Sequence, residues 1–435
     1  MAVTKPIPLY PTYTELCELA YSFSSNELNK ETNKQAIDGI QLNDYPQLQD
    51  FLTNTQSKPW WKTHWLWGFN FLQYIGRNKS IHTYDRFRND IERFLLWCFL
   101  EKKMPLDDLR KADILTFADF CWQPPVNWIS DTNPSRYFLE NGYFKINEHW
   151  HPYKIQAPKN QKNITIDKKK YRPSQQTLTS TFTAIIVFYN YLMSEEICYG
   201  NPAHIAKKDC RHFIRDAQVK EVKRLTSLQW QYVLDTAVDL ADEDITYERT
   251  LFVIAALKTL FLRISELSER ETWSPIMGHF WQDEDENWWL KVFGKGRKLR
   301  NITVPPDFLP FLSRYRLTRG LSTLPFNGEN TVLVEKIRGQ GGMTTRHLRR
   351  LVQTIFDHAF DRMKQAHGEQ KALKLQHAST HWLRHTGASM EIERGRALKD
   401  LSEDLGHASM ATTDTVYVQT ENKKRAASGK QRKVD

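Results

Sequence analysis

The chain has 435 residues, room for two or three domains, and its 40% hydrophobic and 26% charged content is that of an ordinary folded protein, not a disordered one. With 61 basic residues against 51 acidic, the net charge is +10, which favours a polyanionic partner such as nucleic acid. Five cysteines (Cys17, Cys98, Cys121, Cys198, Cys210) make an odd set with no CxxC pair, so neither a disulfide framework nor a zinc site is indicated. The start of the chain has no apolar signal region. The most apolar run, Leu251 to Leu262, is short and broken by Lys258, so it reads as a buried helix. No membrane association and a cytoplasmic, nucleoid-associated setting are expected.

Pro6, Pro8 and Pro11 delay any regular structure at the start, and a helix over Tyr13 to Phe23 follows, capped by Thr12 or Thr14. Residues 1–58 otherwise show no chemistry and read as an N-terminal arm or small accessory region. From Tyr84 to Phe99 apolar residues recur at helical spacing, with Arg86, Arg88 and Arg93 between them. A second strong helix runs from about Gln176 to Met193 and stops before the breaker Gly200-Asn201-Pro202. Between the two lies 122–173, too long for a connection within a compact helical domain and therefore an insertion. It carries Lys168, Lys169 and Lys170, either a solvated face or a track for phosphates. Residues 204–224, with Arg211, Arg215, Lys223 and Arg224, read as a basic linker that would gain from phosphate neutralisation.

Thr226 is placed to cap a helix from Ser227 to Ala241, and a helix over Tyr247 to Leu260 leads into Leu262-Arg263-Ile264-Ser265-Glu266-Leu267. Glu266 lies one helical turn beyond Arg263, within reach of a charge-assisted pair. Trp288 to Phe293 and Arg300 to Val304 flank Gly294-Lys295-Gly296-Arg297-Lys298, the pattern of a hairpin with a lysine at its tip. A helix starting at Thr344 or Thr345 has an apolar stripe from Leu348 to Phe360, with Arg346, Arg349 and Arg350 off it and free to face DNA. Then come His381-Trp382-Leu383-Arg384-His385-Thr386, Leu405-Gly406-His407 and Tyr417, followed by a basic tail. Gly395 should end the helix after Arg384, and Gly406 the next one.

This order of groups resembles the tyrosine recombinases, the phage integrase family. The match rests on His-x-x-Arg-His-Thr, Leu-Gly-His and the tyrosine, together with Leu-Arg-Ile-Ser-Glu-Leu and the lysine hairpin. The interval from Arg384 to His407 (407 − 384 = 23 residues) fits the family, whereas that from His407 to Tyr417 (417 − 407 = 10) is about one longer than its commonest pattern. Phe261 also stands two positions before Arg263, where the family usually has glycine, so the backbone turn there must be made differently.

The resemblance implies a mainly α fold with a small antiparallel β-sheet in the catalytic domain, arranged as a two-domain, C-shaped DNA clamp. A helical core-binding DNA domain would span 59–203, the catalytic domain 225–420 and a basic tail 421–435. It implies six catalytic groups: Arg263, Lys295 (with Lys298 in reserve), His381, Arg384, His407 and Tyr417, with Glu266 in support. Arg86, Arg88, Lys168, Lys169, Lys170, Arg211, Arg215, Lys223, Arg224, Arg346 and Arg349 are candidate DNA contacts.

The chemistry suits these residue types. A phosphodiester resists attack because it is anionic and its alkoxide leaves poorly. Two guanidiniums fork onto its oxygens and stay charged. His407 adds a hydrogen bond, Tyr417 is the nucleophile, His381 takes up or positions its proton, and Lys295 protonates the departing 5′ oxygen. Neither a metal nor ATP is needed, because cations already fill the electrostatic role and the phosphotyrosine conserves bond energy. The expected partners are double-stranded DNA, three further copies in a homotetramer on synapsed sites, and accessory DNA-bending or directionality proteins. A type IB topoisomerase or telomere resolvase would use similar chemistry, and a catalytically silent DNA-binding protein with the same fold is the alternative from another class.

Overall fold

The structure is a computed structural model that describes residues 5–24, 41–53, 58–155, 166–214, 223–294, 298–406 and 428–430. It divides into two compact units, residues 1–217 and 218–435. Helices dominate both, and a small antiparallel sheet lies in the second, as the resemblance implied. Among the described residues no helix is long and apolar enough to cross a membrane.

The first unit holds α1 (Tyr13–Ser24), α2 (Pro46–Thr53), α3 (Trp60–Asn78), α4 (Ile81–Leu96, prolonged by a π-helical turn Trp97–Lys102), α5 (Lys111–Trp122), α6 (Gln175–Ser194) and α7 (Pro202–Asp209). Ser80 and Ser174 cap α4 and α6 through their side-chain oxygens, so each helix begins where an acceptor can satisfy a free backbone N–H. One aromatic-rich core runs from Leu9 to Cys210.

The described residues up to 53 contribute to that core, among them Leu9, Tyr10, Leu16, Tyr45 and Phe51. Tyr10 stacks on Trp65 at 5.9 Å, the Trp65 indole donates to the Leu9 carbonyl, and the buried Glu92 carboxylate accepts the Leu9 N–H at 2.6 Å. Prolines leave this extended strip with few donors of its own, and the partners come from α3 and α4. Described residues of 122–173 also pack into the same core. Trp128, Ile129, Trp150, Tyr153 and Tyr171 are buried, β1 (Ile129–Ser130) pairs with β4 (Tyr153–Lys154), and β2 (Tyr137–Glu140) with β3 (Tyr143–Ile146) form a hairpin. Its two-residue turn, Asn141-Gly142, has φ of +52° and +84°, a combination that Asn and Gly adopt readily.

In the second unit, Thr226 caps α8 (Ser227–Glu243) and Gln229 reciprocates by accepting the Thr226 N–H. α9 (Glu248–Thr259) is buried on nearly every side. A short α10 (Ile264–Leu267) follows. The sheet β5 (Phe280–Gln282), β6 (Trp288–Phe293) and β7 (Leu299–Val304) is antiparallel, with Trp288 opposite Val304 and Phe293 opposite Leu299. Leu290, Val292, Ile302 and Val304 alternate into the core, the two-residue period of a one-sided sheet. Beyond α11 (Leu309–Leu317), α12 (Thr345–His367) is capped by Thr344 and buries Leu348, Val352, Ile355 and Phe356, while Arg346, Arg349 and Arg350 stay exposed. α13 (Glu369–His377), α14 (Thr380–Glu393) and α15 (Leu398–Leu405) complete the unit. Gly395 and Gly406 take the left-handed conformation at the ends of α14 and α15.

Candidate active site

α14 lies against α9 at close range because Gly387 has no side chain: a Cβ there would sit 1.9 Å from the Lys258 carbonyl oxygen. That approach brings Arg384, one turn earlier on α14, to the chain leaving α9. Its guanidinium donates to the Phe261 carbonyl on one side and to the Leu405 carbonyl, at 2.5 Å, on the other. Phe261 presents its carbonyl from φ +50°, a left-handed conformation that costs a side-chain-bearing residue about 1–2 kcal/mol. Phenylalanine thus makes the turn for which the resemblance leads one to expect glycine, and its ring is held by Ala388, Ile392, Leu401 and Leu405.

Arg263 follows at the start of α10. Its backbone N–H donates to Glu266 Oε2 at 2.7 Å and its Nη1 to Glu266 Oε1 at 3.1 Å, the pairing that the four-residue motif predicts. A third guanidinium, not singled out from the sequence, shares the same carboxylate. Arg300 on β7 donates Nη1 to Oε1 at 2.7 Å and Nη2 to Oε2 at 3.1 Å. Burial raises the Glu266 pKa, but the Arg300 hydrogen bonds and charge outweigh it and hold the carboxyl below the usual range. Burial, then the neighbouring Arg263 charge, pushes the Arg384 guanidinium down to about 9, still protonated at neutral pH. His381 stands at the exposed edge. Burial of part of its ring, then the charges of Arg384 and Arg263, keep it below the ordinary histidine value, hence neutral at pH 7. His385 meets it edge-on at 4.2 Å.

Arg263, His381, Arg384 and Glu266 therefore come together. Lys295, His407 and Tyr417 lie outside the described residues, as do Arg215 and the residues 407–427 as a whole. Neighbours of the first two are described: Gly294 and Lys298 on either side of the hairpin tip, and Leu405-Gly406 immediately before His407. Among the described residues no group of three His, Cys, Asp or Glu side chains is set to hold a metal.

The candidate DNA contacts divide. Arg346, Arg349, Arg86, Lys169 and Lys170 are exposed. Arg211 is exposed but leans on Asp119, Lys168 approaches Asp131 at 3.8 Å, and Arg224 pairs with Glu393 at 2.9 Å. Lys223 lies at the start of the second unit's described chain. Arg88 is buried, paired with Asp85 at 2.8 Å and donating to the Pro11 carbonyl at 2.7 Å, so it works inside the first unit.

Residues 223–424 match the phage integrase family. A tyrosine recombinase XerC from Thermodesulfovibrio yellowstonii is 26% identical over 247 residues, 55% of this chain and 70% of that protein. XerC from Rickettsia typhi is 31% identical over 131 residues, 30% of this chain and 37% of the relative, so that the chain spans little more than a third of it. Among solved structures, the XerH site-specific recombinase bound to palindromic difH substrate in a post-cleavage complex superposes with a TM-score of 0.52 at 14% identity, over 98% of this chain and 97% of that one. That likeness concerns the fold.

Proposed function

We propose that the chain, whose residues 223–424 match the phage integrase family, is a site-specific tyrosine recombinase that cuts and rejoins double-stranded DNA through a 3′-phosphotyrosyl link to Tyr417. The observation that carries the reading is the cluster of Arg263, Arg300 and Arg384 around one carboxylate, Glu266. Guanidiniums crowded in this way favour an anion between them, and a phosphodiester supplies one. Arg263, with 26% of its side chain exposed, meets the phosphate from the open side, and Arg384 backs it from the buried side.

In the proposed reaction the Tyr417 oxygen attacks phosphorus as its proton passes to neutral His381. The bond to the 5′ oxygen breaks, Lys295 protonates that oxygen, and Arg263, Arg384 and His407 carry the charge that develops on the non-bridging oxygens. The reverse attack by a 5′ hydroxyl restores the diester, so neither a nucleotide nor a metal enters the balance. Residues 59–203 and 225–420 would each lay basic surface on the duplex, and exchange between two duplexes calls for a homotetramer. Integration, excision or transposition of a mobile element is the proposed setting.

A nicked substrate whose short 5′ fragment diffuses away tests the reaction. Wild-type protein in EDTA should accumulate an adduct that survives boiling in detergent, mapped by peptide analysis to Tyr417. Tyr417→Phe should bind the same DNA and give none. An adduct on the Tyr417→Phe protein, or its loss from wild type in EDTA, would contradict the mechanism.

A further inference from the structure

Two glycines of the sequence motifs, Gly294 at the entry to the lysine hairpin and Gly406 before His407, lie against the same side chain. A Cβ on Gly294 would stand 2.8 Å from Arg300 Nη1, and one on Gly406 would stand 2.8 Å from Arg300 Cδ and 2.9 Å from Nε. Both positions leave room for one guanidinium, and its contacts show what it joins. Two of its nitrogens fork onto Glu266, which in turn holds Arg263. The third, Nε, donates to the Asp404 carbonyl at 3.0 Å in the last turn of α15. The Asp404 carboxylate fastens that turn to the same strand, accepting from Thr303 N at 3.1 Å and Thr303 Oγ1 at 2.6 Å, with Arg396 alongside. The next residue, Leu405, offers its carbonyl to Arg384. Arg300 itself sits on β7 opposite Val292, near the root of the hairpin.

We infer that Arg300 is a positioning residue that ties the Lys295 hairpin to the arginine cluster, setting Arg263 through Glu266 and the turn that leads to His407 through the Asp404 carbonyl. The inference rests on the recombinase reading for its consequence, though not for its geometry. With only 13% of its side chain exposed and its nitrogens directed inward, Arg300 acts on the phosphate through other residues. A planar fork is required, because an ammonium on a lysine stem cannot engage both Glu266 oxygens and the Asp404 carbonyl at once.

The test uses the full chain and Arg300→Lys, which keeps the charge. Adduct formation on the nicked substrate, at saturating DNA, should slow about a hundredfold, on the scale of a lost preorganised donor, with DNA affinity changed by less than about threefold. A 5′-bridging phosphorothiolate, which needs no acid, should not restore the rate, because the defect lies with the cations. Gly294→Ala should slow wild type through crowding and add little to Arg300→Lys, where the fork is already lost. Independently of activity, amide hydrogen exchange over 398–406 should accelerate in Arg300→Lys while 227–243 keeps its protection. An Arg300→Lys rate within about threefold of wild type, or additive effects of the two substitutions, overturns the positioning role. If wild type forms no adduct, the recombinase reading fails, and unchanged exchange over 398–406 then decides against the tie itself.

Discussion

The first unit and the Arg384 cluster of the second use buried arginines in opposite ways, although elsewhere in the second unit Arg316 pairs with Glu329 at 2.9 Å as the first unit's arginines do. In the first, Arg88 faces Asp85, Arg93 faces Asp90 and Arg136 faces Glu92, three cations against three carboxylates. Around Arg384 in the second, Arg263 and Arg300 both pair with Glu266, whose charge also acts on Arg384. Matched charges at low dielectric satisfy one another and hold chain segments in place, as Glu92 holds Leu9 and Tyr10. Outnumbered carboxylates leave attraction for a further anion. Arginines matched one to one therefore act as scaffold, those that outnumber their carboxylate are proposed to act on the substrate, and the local ratio of charges decides which.

The sharpest way to break the contrast is to unbalance the matched set. Glu92→Gln leaves Arg136 without its buried countercharge and should lower stability by about 3 kcal/mol, read as a lower denaturation midpoint at an unchanged m-value. A loss below about 0.5 kcal/mol would mean that the first unit does not depend on matching. In the second unit the cost should fall on the reaction. Arg263→Ala and Arg384→Ala should each slow adduct formation at least a hundredfold, about 3 kcal/mol of barrier, with DNA retention in a filter assay nearly intact.

Smaller effects sharpen the picture. Phe261→Gly and Phe261→Ala both remove the packed ring, but only glycine accepts φ +50° without strain. The glycine variant should therefore be the more stable of the two by about 1 kcal/mol, the reverse of their order in an ordinary helix. The His381 imidazole should titrate below its ordinary value of 6.5 by NMR, because burial and two cations disfavour its charged form. A group whose folded pKa is depressed adds stability above the unfolded pKa and loses it as pH falls through the folded one, so this contribution disappears on the acid side of 6.5. Arg263→Ala removes one of the cations and should move the midpoint upward; no movement would separate His381 from the cluster. Finally, Arg346→Ala and Arg349→Ala should each reduce the slope of log affinity against log salt by about 1 without altering the preferred site.

Local chemistry was legible in the sequence wherever partners are neighbours along the chain. Glu266 sits three residues from Arg263, Thr226 three from Gln229, and the two strands of the hairpin are joined by its glycines, so each relation could be read from spacing. Arg300 could not. It is one of several cations in Arg297-Lys298-Leu299-Arg300, and its meaning depends on Asp404, a hundred residues later. Gly406 was visible as a helix stop, but nothing local showed that it also makes room for Arg300. In the first unit Arg88 read as a solvated position between apolar ones, because periodicity does not reveal that the Pro11 carbonyl covers that face. Leu9 and Tyr10, lying among prolines, have no helical or strand period, and their burial comes from α3 and α4. The hairpin at Asn141-Gly142 carries a local signal, an Asn-Gly pair between aromatic residues, but reading 122–173 as an insertion passes over it.

Arg263 and Arg384 are proposed to act together on the negative charge of one phosphate. A methylphosphonate at the scissile position removes that charge from a non-bridging oxygen while keeping the atoms that react. On ordinary DNA, Arg384→Ala should form the adduct about a hundredfold more slowly than wild type. On methylphosphonate DNA, with less charge to neutralise, the two proteins should react within about tenfold of each other. An undiminished difference between them on the neutral substrate would contradict the account, because Arg384 would then be needed for something other than the phosphate's charge.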